Sequence, residues 1–255
     1  MKKVAIFVDW ENVRFEIESI QSNYESKDKI LDFDCYNVKD IVSLLKSPVY
    51  RNVEEIYRIF FYNADPISLE LEYIPKRFQN DVKKFLETED FKIRDKKRQQ
   101  IINNHKQLIF KDHFAVRKGM QRLIGFDNEN KPLFQQKQVD MLLGLDIAHV
   151  AYQHLVDTII VFSKDTDIAP ALKCARMNGL HVSLANIKDG KEIISPTLRK
   201  HADSTRLISL IKEFGFKNEY YPKKQPKKHN KTTPQPDATI AHEDSESDSQ
   251  QPQES

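Results

Sequence analysis

Acidic residues recur in this chain where hydrophobic runs stop. VAIFVDWEN puts Asp9 and Asn12 directly after the run Val4–Val8, and IIVFSKDTD puts Asp165 and Asp167 after Thr158–Phe162. QVDMLLGLD carries Asp140 and Asp146 on a helix-like stretch. A carboxylate at the C-terminal end of a buried parallel strand faces the crevice where open α/β sheets take ligands. Several carboxylates meeting there repel one another unless a cation lies between them. A ligand set made only of oxygens suits Mg²⁺ or Mn²⁺. The chemistry such a site would serve is metal-assisted hydrolysis.

Each position also has a plainer reading. Asp9 would ligate the ion directly, with Asn12 holding it or a phosphate; alternatively Asn12 caps a helix and Asp9 forms a turn. A carboxylate in so apolar a context is costly without a partner, which favours the ligand. Val139, Met141 and Leu142 around Asp140 place it near the interior or the crevice. Lys137, one turn away on the same expected helix, would contact phosphate or tune the acid; the alternative is a surface Lys–Asp pair worth a few tenths of a kcal/mol. Asp146 lies about 240° further round an ideal helix and is read as structural. In SKDTD, Asp165 is the ligand, and Ser163 and Thr166 supply hydroxyls and N–H groups at a helix start, where phosphate is favoured. Asp167 is a second ligand or a helix-start acid, ordinary capping explains one of the two aspartates, and Lys164 faces solvent or substrate. Asp203 would cap the final helix, with Arg199, Lys200 and Arg206 near it as contacts for a nucleic-acid backbone. The basic zone Lys92–Arg98 would neutralise phosphates or simply be a solvated face. Phe91, Phe110, Phe114 and Phe126 would stack bases or fill the core.

These residues need a scaffold. Lys3–Val8, Ile56–Tyr62, Thr158–Phe162 and His181–Asn186 read as strands covered on both faces. Asn37–Lys46, Lys137–Tyr152 and Ile168–Asn178 read as helices, the last ended by Gly179. The alternation predicts a parallel sheet with right-handed crossovers. Between about Asp65 and Gln136 it falters. Ser68–Thr88 reads as an amphipathic helix, Ser68–Phe110 as a helical excursion serving as lid or arm, and Phe114–Phe126 as a strand with a bulge or bend at Gly119. From Pro222 the composition shifts to five prolines and no aromatics, basic first and then acidic. Residues 222–255 are expected to be a disordered tail beyond one domain at 1–221.

Bulk properties exclude several classes. The longest apolar runs in the 255 residues are strand-length, far short of a membrane span. Two distant cysteines, Cys35 and Cys174, favour a reducing compartment and hence the cytoplasm. The net charge of +2 means that any affinity for nucleic acid must come from local patches. With six glycines and neither GxGxxG nor a Walker loop, a nucleotide cradle is not expected.

IFVDWEN, FFYNA, KQVDMLLGLD, VFSKDTDIAPALKCARMNGLHV and LRKHADSTRLI, in this order and spacing, resemble the NYN domain family, the LabA-like branch of PIN-like nucleases, across about residues 3–212. The resemblance implies a three-layer α/β/α fold with a mostly parallel central sheet, and an acidic crevice that holds Mg²⁺ or Mn²⁺ and cleaves RNA. Asp9, Asp140 and Asp165 carry over as its core, with Asn12 and Asp167 supporting. Where the family commonly has SGD, this chain has Ser163-Lys164-Asp165, which removes a glycine and adds a charge. The expected activity is therefore a metal-dependent ribonuclease. The expected partner is RNA, with DNA, self-association and a larger complex left open. The rival classes are a binding module that uses the crevice without turnover, and a phosphohydrolase of small esters. A nuclease of this kind needs Asp9, Asp140 and Asp165 to converge on one ion.

Overall fold

Val4–Val8 are wholly buried, as a strand covered on both faces requires, and they form the centre of β1 (Lys2–Asp9). The computed structural model describes residues 1–190 and 193–217. The tail expected at 222–255 lies outside the described residues. β1 is followed by α1 (Trp10–Glu25), α2 (Val38–Lys46) and β2 (Glu54–Asp65). Then come α3 (Gln79–Leu86), α4 (Glu89–Leu108), β3 (Phe114–Phe126), β4 (Pro132–Lys137) and α5 (Val139–Tyr152). β5 (Thr158–Phe162), α6 (Ala169–Met177), β6 (His181–Ile187), α7 (Pro196–Arg199), β7 (Ser204–Ile208) and α8 (Leu210–Phe214) complete the order.

The seven strands lie in the order β4-β3-β2-β1-β5-β6-β7. All neighbours are parallel except β3 and β4, which form an antiparallel hairpin. The chain runs outward from β1 through β2 and β3, then returns to β1's other side as β5. The order therefore reverses between β1 and β5, the kind of point where open α/β sheets take ligands. Alternate side chains fill two cores. Val4, Ile6 and Val8 pack with α1 and α2 on one face, and Ala5 and Phe7 pack with α5 and α6 on the other. The fold is thus a mixed α/β fold with a mostly parallel sheet between helical layers, as expected. Among the described residues no helix is long and apolar enough to cross a membrane.

Several elements depart from expectation. Ser68–Thr88 is not one helix: two 3₁₀ turns at Leu71–Tyr73 and Lys76–Phe78 precede the short α3. Ile74 and Pro75 interrupt it, Ile74 burying its side chain against Val82 and Phe85 in a small core under the excursion. β4 and β7 were not expected. Lys137 ends β4, paired with Met120, rather than starting α5. Gln138 makes the junction with a left-handed φ of 73°.

Gly119 is not the bulge; the register shift in β3 falls between Leu123 and Gly125. Its role is close approach. A Cβ there would lie 2.6 Å from Val139 Cγ2 and 2.7 Å from the Lys137 carbonyl oxygen. The β4–α5 junction therefore sits directly on Gly119. Gly119→Ala is expected to cost about 1–3 kcal/mol by overpacking, read as a lower melting temperature.

Candidate active site

The C-terminal ends of β1 and β5 deliver two of the expected residues, and the first turn of α5 delivers a third. Asp9 is 6 % exposed and closes β1. Its carboxylate caps α1, accepting from the Asn12 N–H at 3.2 Å. Asn12 then reaches across the switch point, its Oδ1 accepting from the Lys164 N–H at 3.1 Å. This bond ties the start of α1 to the loop after β5. In that loop the buried Ser163 accepts from the Asp165 N–H at 3.2 Å. Asp165 caps the following turn, accepting from the Asp167 N–H at 2.9 Å. Thr166 and Asp167 are exposed at the rim. The capping role falls to Asp165, which keeps its second carboxylate oxygen for other contacts.

The charges of these acids act on one another. Burial pushes the Asp9 carboxyl up to about 7, opposed by the Asn12 hydrogen bond and reinforced by the charges of Asp140, Glu11 and Asp165. Asp140 is raised as well, first by desolvation and then by Asp165 and Asp167. Glu11, which sequence reasoning did not single out, is raised by burial and by Asp140, against the pull of Arg14. Like charges gathered at one end of the sheet are costly unless a cation compensates.

Two expectations need correction. Asp140 is exposed rather than interior, because α5 begins at the crevice rim. Lys164 does not face solvent or substrate. Its side chain is 10 % exposed and its ammonium pairs with Glu16 of α1, itself 5 % exposed, because a charge buried that deeply needs a partner. Lys164 is not among the described residues with positive φ, so lysine carries no backbone strain where the family commonly has glycine. Lys137 is exposed at the end of β4.

The carboxylates do not form a closed metal cage. Among the described residues, no three His, Cys, Asp or Glu side chains stand close enough together to hold one ion. The donor type nonetheless fits: oxygen ligands, mutually repelling, at the mouth of a crevice. Mg²⁺ commonly takes only one or two protein carboxylates and keeps several waters, so a full cage is not required.

Other expected residues serve the fold. Asp146 accepts from the Tyr62 hydroxyl at 2.8 Å and from Arg117 Nε at 2.9 Å. Asp203 caps no helix. It accepts from the Val182 N–H at 2.8 Å and pairs with Arg176 at 2.9 Å, tying β6 to α6. Arg206 is buried against Glu54 and is not open to a nucleic-acid backbone. Phe114 belongs to the main core, while Phe91 and Phe126 pack on the small core under the excursion. Phe110 is the exposed one of the four.

A further polar group stands beside the acids at the end of β2. Asp65 receives His105 Nδ1 at 2.6 Å and Lys118 Nζ at 2.8 Å, and Asn63 lies 3.1 Å from His105 Nε2. Burial lowers His105, with Asp65 opposing. Desolvation would raise Asp65, but Lys118 and His105 outweigh it and hold the carboxyl below its usual range. Asp65 closes a hydrophobic run in FFYNAD just as Asp9 does, so the sequence signal was present.

An acid-edged crevice at the switch point of a mostly parallel sheet defines a nuclease-like α/β domain. Residues 3–211 match the model of the NYN domain, and the chain belongs to that family, whose fold is the PIN-like nuclease fold. Over 71 residues it is 35 % identical to the uncharacterized protein y4oD of Sinorhizobium fredii, covering 28 % of this chain and 33 % of that protein. The chain thus spans about a third of that relative's length. A crystal structure of a protein of unknown function, VPA0982 from Vibrio parahaemolyticus, aligns at a TM-score of 0.42 and 18 % identity, over 84 % of this chain and 95 % of that one.

Proposed function

We propose that this protein is a metal-dependent ribonuclease acting at the crevice between β1 and β5. One observation carries the reading: the fold brings Asp9 at the end of β1, Asp165 in the loop after β5 and Asp140 in the first turn of α5, far apart in sequence, to the same end of the sheet, where the charges of Asp140 and Asp165 oppose the ionisation of Asp9. One or two of Asp9, Asp140 and Asp165 would hold a Mg²⁺ or Mn²⁺ ion directly, with the remaining acid and Asp167 adding charge at the rim and water completing the shell. The ion would activate a water molecule and offset charge on the scissile phosphate. The protein's own part is positioning. Asn12 holds the β5 loop through the Lys164 N–H, and Ser163 and Asp165 fix the turn that carries Asp167. Lys137, exposed where β4 meets α5, would contact the backbone of the substrate strand.

A module that binds RNA without cleaving it was suggested by the extra charge of Lys164. That charge is engaged by Glu16, which removes the motive. The proposal predicts that labelled single-stranded RNA is cut with Mg²⁺ or Mn²⁺, and that Asp140→Asn and Asp165→Asn each lower the rate by about 10²–10³. Equal rates in all three proteins would sink it.

A further inference from the structure

A cavity of about 440 Å³ opens beside the acidic edge, under the helical excursion. Glu11 and Asn63 line the end nearest the carboxylates, and α4 and the β3–β4 hairpin supply the opposite walls. The volume lies within the range of small-ligand sites and is far too small for a base-paired segment.

The walls pair cations with a flat stacking surface. Arg94, Lys97 and Arg98, consecutive turns of α4, all line it. The Arg94 guanidinium lies over the Phe134 ring at 4.4 Å, flat against one wall of the cavity. Arg94 donates to the Ile67 carbonyl at 3.1 Å, yet its Nη1 and the Arg98 Nε are buried with no hydrogen-bond partner among the described residues. Burial and the neighbouring Arg98 charge pull the Arg94 guanidinium down to about 10, still charged at neutral pH. Asp95 reaches Arg98 only at 3.6 Å. Gln121 and Gln136 also line the cavity, their oxygens fixed by the Ile67 and Ala64 N–H groups at 3.1 Å each. Both amides are thereby oriented, and their nitrogens make no hydrogen bond among the described residues.

We infer that this cavity receives one unpaired nucleotide of the substrate strand, with its phosphate on Arg94, Lys97 and Arg98 and its base over the Arg94 guanidinium. The inference rests on the ribonuclease reading and narrows it to single-stranded substrates. Stacking on an arginine plane and hydrogen bonds from fixed amides are how proteins hold unstacked bases. The excursion is then the wall of a substrate pocket as well as an arm.

Binding without turnover tests it. A short fluorescein-labelled oligoadenylate is titrated by anisotropy in EDTA. The Arg94→Gln/Arg98→Gln double variant should lose about 10- to 100-fold in affinity, as lost charge-assisted hydrogen bonds imply. Its salt dependence should flatten by about two phosphate contacts. Lys92→Gln/Lys96→Gln, on the exposed face of the same helix, should lose far less, and a blunt RNA duplex should bind the wild type weakly. If the double variant does not fold, Lys97→Glu, an exposed rim residue, should weaken binding in the same direction. Unchanged binding, equal loss in both double variants, or preference for the duplex would overturn the inference. Wild type that binds the single strand through these residues but never cuts it with Mn²⁺ would instead sink the ribonuclease reading.

Discussion

Asp9→Asn is expected to abolish RNA cleavage and, at the same time, to raise the melting temperature. The side chain is buried, its hydrogen bond from the Asn12 N–H is long at 3.2 Å, and Asp140, Glu11 and Asp165 all oppose its charge. Asparagine is nearly the same shape and caps helices as well as aspartate does. The substitution therefore keeps the α1 cap and removes a buried, opposed charge, a gain of about 1–3 kcal/mol in metal-free buffer. Cleavage should fall by at least about 10²–10³, the usual cost of deleting a group that stabilises transition-state charge. Stability given up for function in this way is common at active sites. Thermal melts in EDTA and with excess Mg²⁺ or Mn²⁺ separate the parts. Metal should raise the wild-type melting temperature by mass action and leave the variant nearly unmoved. A variant that melts below the wild type in EDTA would mean that the protein itself already compensates the Asp9 charge, and the case for a cation would fail.

How far this site could be read in advance depended on distance along the chain. A strand buried on both faces announces itself: Thr158–Phe162 has the bounds that its composition suggested, and the partly exposed Phe114–Phe126 does too. β4, with sequence PLFQQK, opens on proline and ends in three polar residues, so it resembles a loop. β7, with sequence STRLI, buries an arginine whose carboxylate partner, Glu54, lies 152 positions away. The inward turn of Lys164 likewise depends on Glu16, 148 positions earlier. Helix capping is local, and the Asp165 cap and Gly179 could be read from neighbours alone, whereas Asp9 and not Asn12 caps α1, and Asn12 reaches the Lys164 N–H 152 positions on. The β4–α5 junction could not. Gln138 adopts a left-handed backbone although nothing in its residue type requires one, so the sequence carries no signal that separates Lys137 from the helix. The candidate acids were legible because the rule that finds them is topological: an acid after a buried strand points at the sheet's edge. Applied fully, that rule also selects Asp65. Its partner His105 sits on α4, inside a segment so rich in charge that a buried residue was not suspected.

The buried pair of Arg206 and Glu54 should dominate stability as the aspartates dominate chemistry. Both side chains are almost fully buried, 6 % and 5 % exposed, and they meet twice at 2.7 Å. Arg206 also donates to the Pro48 carbonyl at 2.8 Å and lies over the Tyr50 ring, so it joins β7 to the start of β2 and the loop before it. Arg206→Met keeps bulk and strands the carboxylate, which should cost about 3–5 kcal/mol at neutral pH. For a domain of this size each kcal/mol moves the melting temperature by roughly 2–4 °C. Desolvation would raise Glu54, but the Arg206 hydrogen bonds outweigh it and hold the carboxyl below its usual 4.5. A depressed carboxyl contributes stability that is fully present above the ordinary carboxylate range and lost as pH falls through the folded-state value. In the variant, unpaired burial raises the same group, so acid relieves the variant before it harms the wild type. The gap in melting temperature should therefore be widest near neutral pH and narrow as pH drops toward the carboxylate range. Adding Glu54→Leu to Arg206→Met should recover much of the loss, because two apolar groups can replace a buried pair at little cost. A gap that stays constant with pH would show that Arg206 acts through Pro48, Tyr50 and packing instead of through the Glu54 charge.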